Sequence, residues 1–248
     1  MMKIAYEEAV RVREEYRART GKEVELYVST SGFSYFEIDA LDLQMVLDAL
    51  NKENVKNHDI FIHGYSGVDV IRGVLGAFAV AKKDNPSLQL WQGEYYAHQK
   101  TEDAWKVYNT LKNCADFMAA GADMYINLGV PAENAFITPS AYSPTAVFHT
   151  MAVLQQNIRK ANDYEGAYSF EGDATSLPLR HYFSRTDGSY LSILGAENGG
   201  QVLLGNPGVV ISAIDAYGTA VPLNGNSLDR QNTLFIISSE PLLIHSAQ

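Results

Sequence analysis

Hydrophobic and polar positions in this chain change their spacing at about residue 164. Before that point apolar positions recur at helical spacing in stretches separated by short alternating runs. Residues 5–18 put Ala5, Ala9, Val12 and Tyr16 on one helix face, and Gly21 follows as a stop. Strands are expected over 24–29, 59–65, 88–94 and 124–128, and helices over 39–52, 68–83, 101–119 and 144–160. Strands alternating with helices of this length imply crossover units and a parallel sheet. From Tyr164 helical periodicity gives way to short β-rich runs at 179–185, 190–196, 209–214, 219–223, 233–237 and 242–245. Turn signals such as Thr186-Asp187-Gly188, Asn206-Pro207-Gly208 and Asn224-Gly225-Asn226 divide them. The expectation is an α/β chain in two domains, residues 1–163 and an antiparallel β-sandwich over 164–248.

Four parallel strands suit a small doubly wound sheet or part of an eight-unit barrel, which takes about 250 residues when complete. No G-x-G-x-x-G or G-x-x-x-x-G-K-S/T run lies at a strand-to-helix turn, so the phosphate-binding form of the doubly wound sheet lacks its signature. Four units alone cannot close a barrel, and the open sheet edge predicts self-association or poor solubility.

Composition narrows the function classes. The 248 residues are 46% hydrophobic and carry a formal charge of −10, which suits a soluble protein and disfavours nucleic acid or an anionic membrane as partner. No run approaches the roughly 20 apolar residues of a membrane span, and the first residues lack the apolar centre of a secretory signal. The compartment stays open. Cys114 is the single cysteine, in a helical stretch where it reads as a small packed residue. Metal-ligand spacings, a nucleophile elbow and cofactor motifs are missing, so no metal and no cofactor are expected.

The strongest chemical signal is Leu88-Gln89-Leu90-Trp91-Gln92-Gly93-Glu94-Tyr95-Tyr96, an apolar strand that ends in a carboxylate. Alternation gives Leu88, Leu90, Gln92 and Glu94 one face and Trp91 the other, where Trp91 is expected to pack beneath the helices. In barrels, catalytic groups sit at the carboxyl ends of strands. About 25 residues earlier, Ile60-Phe61-Ile62-His63-Gly64-Tyr65 ends in a second polar group.

Together with the terminal β-rich region, which closes with Ser239-Glu240-Pro241-Leu242-Leu243-Ile244, these runs resemble the C-terminal half of a clan A retaining glycoside hydrolase, of the β-xylosidase-like branch with a β-sandwich beside the barrel. The resemblance implies a partial (β/α)8 barrel made of the last four strands, a carbohydrate substrate, and Glu94 as nucleophile. Retention needs two carboxyl groups about 5–5.5 Å apart, one attacking the anomeric carbon and one protonating the leaving oxygen. His63 and Tyr65 share a strand face and are candidates to donate to an ionised Glu94. Tyr65, Tyr95, Tyr96 and Tyr125 offer flat faces for a sugar.

In this clan the acid/base is the Glu of an Asn-Glu pair closing strand four, and no Asn-Glu dipeptide occurs here. Strand four is expected to precede Met1, so the chain reads as a fragment, or a natural short form, without its proton donor. Glu37, Asp39, Asp69 and Glu133 are the remaining loop carboxylates expected near strand ends. The competing reading is a non-catalytic carbohydrate-binding or interaction protein that keeps the architecture. The region from about 165 onward is expected to supply stability, its polar residues scattered without a pocket-like grouping.

Overall fold

The computed structural model describes residues 2–24, 26, 28–29, 33–34, 40–53, 55, 58–63, 76–83, 85–95, 102–127 and 145–247; for 2, 28–29, 33–34, 40–43, 58–63, 92–95, 124–127 and 162 it describes the backbone alone. Contacts divide the chain into two compact units, Met1–Tyr95 with Asp116–Asn127, and Tyr96–Ala115 with Leu128–Gln248.

The first unit opens with α1 (Met2–Thr20). Gly21 ends it at φ 69°, its N–H donating to the Arg17 carbonyl at 2.8 Å, the left-handed stop expected of glycine. Arg11 pairs with Glu8 and Glu15 along the exposed helix surface. The stripe read from the sequence is largely open, with Val12 40% and Tyr16 42% exposed.

The sheet of this unit is parallel and wound in one direction. Short strands β1 (Val28–Ser29) and β2 (Phe33–Ser34) both pair with β3 (His58–His63), β3 pairs with β4 (Gln89–Tyr95), and β4 with β5 (Met124–Asn127). The order β1-β3-β4-β5 follows the chain. A doubly wound sheet has a point where that order reverses; the described strands have none.

Helices α2 (Ala40–Lys52), α3 (described over 76–83) and α4 (Asp103–Ala119) connect the strands. Leu47 of α2, Phe78 of α3 and Phe117 of α4 enclose Leu88 and Leu90, all at most 3% exposed. One face of β4 is therefore covered by three helices. The burial follows in part from spacing: Leu88 and Leu90 are two apart on a strand, and Leu47 stands on the apolar stripe that the period of α2 predicts.

The second unit holds Asp103–Ala115 of α4, helix α5 (Ala146–Ile158) and the remaining strands. Thr145 caps α5 by accepting from the Phe148 amide. Strands β6 (Ala161–Ala167), β7 (Leu179–Arg185), β8 (Tyr190–Gly195), β10 (Val210–Asp215) and β13 (Thr233–Ser238) form an antiparallel sheet in the order β10-β13-β8-β7-β6. Strands β9 (Gln201–Leu204), β11 (Leu223–Asn224), β12 (Ser227–Asp229) and β14 (Ile244–Ala247) form a second, in the order β11-β12-β9-β14. The position expected to divide the domains, 163/164, falls inside β6.

Leu194, Leu234 and Ile236 of the larger sheet share one core with Val202, Leu204, Leu228 and Ile244 of the smaller. The opposite face of the larger sheet is buried as well: Leu179, Phe183, Leu191, Ile193 and Phe235 are all at most 3% exposed. A hydrogen bond from Asn232 Nδ2 to the Ala104 carbonyl, 2.8 Å, ties the start of β13 to α4. Burial on both faces explains why β8 and β13 are apolar nearly throughout rather than alternating.

Candidate functional site

Parallel pairing brings the carboxyl ends of β3, β4 and β5 to one edge of the first unit's sheet. Glu94 is the penultimate residue of β4 and Tyr95 the last, His63 ends β3, and Tyr125 lies within β5. Phe61 aligns with Trp91 and Ile62 with Gln92, so the end of β3 lies beside the Gly93-Glu94 step. Tyr65 and Tyr96 fall outside the described residues, as do Glu37, Asp39, Asp69 and Glu133.

Strand β4 differs from expectation in two ways. Leu88 and Leu90 are the residues beneath the helices. Trp91 lies half-buried on the other face, its indole N–H donating to Gln89 Oε1 at 2.9 Å. Alternation separates two faces but does not say which one the helices take; the crossovers decide that.

The second difference is a register shift. Gln92 pairs with Tyr125 and Tyr95 with Asn127, so three steps on β4 match two on β5. The irregular step therefore falls at Gly93-Glu94. Such irregularities re-aim a residue at a strand end, and a glycine inside a strand, here Gly93, is their usual sequence signal.

A charged brace fixes β4 from behind. The Asp123 carboxylate accepts from the Leu90 amide at 2.9 Å and from Lys82 Nζ at 2.6 Å, while Lys82 also donates to the Gly121 carbonyl at 3.0 Å. One carboxylate thus holds α3, β4 and the approach to β5 together. On α4, Cys114 is 2% exposed and burial pushes its thiol up to about 12, so it is a packed group and no nucleophile at neutral pH. No cluster of three metal-ligating side chains occurs among the described residues. No helix among them is long and apolar enough to cross a membrane.

The second unit holds a grouping that the sequence did not disclose. Residues 167–171 and 241–245 line an open cleft of about 550 Å³ with Tyr182. Tyr168 stacks on Tyr182 with ring centroids 4.4 Å apart and planes 16° from parallel. Its phenol shares a 2.8 Å hydrogen bond with Ser192 Oγ and accepts from the Leu242 amide at 3.2 Å; burial pushes its pKa up. The expectation of scattered polar residues without a pocket is corrected here. The cleft joins segments more than seventy positions apart, and no local motif marks such a meeting.

No protein-family model matches the chain, and no curated protein matches it by sequence. Among solved structures, N2152 from Neocallimastix frontalis is similar with a TM-score of 0.51 at 10% identity, over 94% of this chain and 64% of that one. The glycoside hydrolase family 30 subfamily 8 xylanase Xyn30A from Clostridium acetobutylicum gives 0.48 at 10% identity, over 92% and 59%. SrfJ from Salmonella typhimurium gives 0.43 at 12% identity, over 94% and 61%. The chain spans about three fifths of the length of these structures. The likeness to N2152 is one of fold.

Proposed function

We propose that the chain is the later part of a retaining glycoside hydrolase, with the first unit as four units of a (β/α)8 barrel, the two antiparallel sheets as a β-sandwich, and Glu94 as nucleophile. The observation that carries this reading is the end of β4: a glutamate one residue from the carboxyl end of a parallel strand, in a sheet that follows chain order, beside the end of β3. That is where barrel enzymes keep their reacting groups. His63, at the end of the neighbouring strand, is a candidate to hold Glu94 ionised. Tyr95 and Tyr125, with Tyr65 and Tyr96, are candidates to flank the sugar.

In the reaction, Glu94 attacks the anomeric carbon, the glycosidic bond breaks, and an ester links sugar to protein until water cleaves it. The absence of an Asn-Glu pair in these 248 residues favours a chain that can form the ester only when the leaving group needs no proton. It is also what keeps a non-catalytic, carbohydrate-binding role as the second reading. General acid catalysis contributes about 10²–10⁴-fold, so natural glycosides are expected to survive while activated ones react.

The test uses 2,4-dinitrophenyl 2-deoxy-2-fluoro-β-xyloside and its glucoside counterpart, followed by mass spectrometry. The expected result is one covalent sugar on the peptide containing Glu94, lost in Glu94→Gln. A label on another carboxylate would overturn the nucleophile assignment, and no label from either reagent favours the binding-only reading.

A further inference from the structure

The cleft in the second unit lies outside the proposed reaction, yet it is built like a binding site. Its two walls, residues 167–171 and 241–245, are joined by a parallel bridge between Phe170 and Ile244. Both walls are fixed before any ligand arrives. Tyr168, 6% exposed, holds the Leu242 amide through its phenol. From the other side, Asn206 donates to the Pro241 carbonyl at 3.0 Å and accepts from the Leu243 amide at 2.7 Å. Rigid walls reduce the ordering entropy that binding must overcome.

The lining points to a class of ligand. Tyr182, half-buried and stacked on Tyr168, gives an aromatic floor, and Phe170 lies beside it. Leu243 stands 60% exposed on a rim whose backbone cannot withdraw it. Ser169, Glu171 and His245 supply polar groups, and no lysine or arginine lines the space. An anionic ligand would therefore meet a carboxylate without a compensating cation. A neutral sugar has C–H faces for the aromatic floor and hydroxyls that donate to Glu171 or His245. The volume, about 550 Å³, lies within the range of pockets that enclose small ligands.

We propose that this cleft is a carbohydrate-binding site, separate from the Glu94 strand end, that holds a short stretch of a neutral glycan. It rests on the glycosidase reading only for the choice of sugars to try. Gly205 provides a test that removes no ligand-facing group and moves one of them. The His245 ring lies against Gly205, and a Cβ there would stand 2.7 Å from Nε2, so Gly205→Ala displaces the ring. The backbone of Gly205 is outside the left-handed region, so alanine fits it without strain.

The experiment titrates the whole chain with xylohexaose and cellohexaose by calorimetry and by amide NMR, in a Glu94→Gln background so that turnover cannot consume the probe. One of the two glycans is expected to saturate, with shifts concentrated in 167–171 and 241–245. Glu171→Ala is expected to weaken binding about tenfold and Gly205→Ala about threefold, with urea midpoints showing that both remain folded. The proposal is overturned if neither glycan saturates by about 10 mM, or if binding shifts only residues of β3 and β4 and ignores both cleft variants. The latter outcome would leave the Glu94 reading standing, and a failed label at Glu94 beside a saturating cleft would do the reverse.

Discussion

Cys114 shows how burial alone sets the chemistry of a side chain. With 2% exposure its thiol is pushed from about 9 to about 12 by loss of solvation. Below about pH 9 the group is protonated in both folded and unfolded chains and contributes no pH dependence. As pH rises from 9 towards 12, the unfolded chain gives up a proton that the folded chain keeps, so folding stability falls. Urea titrations at pH 8 and 10.5 are expected to differ by about 2 kcal/mol more in the natural chain than in Cys114→Ala. A disulfide reagent should find no thiol at pH 8 until urea unfolds the protein. Rapid labelling of the native state would contradict the packed position of α4.

Among the elements, β4 carries the clearest separation of roles, because its two faces do different work. Leu90→Ala removes a fully buried side chain from among Leu47, Phe78 and Phe117 and is expected to cost about 2–5 kcal/mol. Trp91→Phe gives up one hydrogen bond on a half-buried face and is expected to cost about 1 kcal/mol or less. Urea midpoints of the two variants check the ordering; a reversal would put the helices on the Trp91 side. Sequence periodicity located α2, α4, α5, β7, β8 and β13 to within about two residues, since each combines a clear period with a capping or turn residue. It missed β6, β9 and β12. Ala161–Ala167 is a polar edge strand with two register shifts against β7, so its strand identity comes from its partner rather than from its composition. Gln201–Leu204 and Ser227–Asp229 are too short to show a period. The run expected at 219–223 contracts to an isolated bridge at Ala220 and to β11, which starts at Leu223. At the candidate site the strand-end position of Glu94 was legible, and the irregular step at Gly93-Glu94 was not, because alternation alone does not reveal a register shift against β5.

At the scale of the whole molecule, α4 gives Asp103–Ala115 to one compact unit and Asp116–Ala119 to the other, so neither unit is a continuous stretch of chain. Pairing distances along the sequence also differ widely. Strands β7 and β8 are separated by residues 186–189, and the Gly188 amide donates to the Arg185 carbonyl at 3.0 Å with Gly188 at φ 81°. Strand β14 must reach back about forty residues to pair with β9. Closing a short loop costs less entropy and is faster than closing a long one, so the β7–β8 hairpin is expected to form early and β14 to dock late. Gly188→Ala, which strains the turn by about 1 kcal/mol, is then expected to slow refolding about fivefold and to leave the unfolding rate nearly unchanged. Stopped-flow measurements check this, and an effect confined to unfolding would move the hairpin to a late step. Docking of the last strand carries a further consequence during synthesis. Residues 167–171 meet their partner wall only through residues 241–245, about seventy positions later, so a growing chain has no cleft until that later segment has left the ribosome.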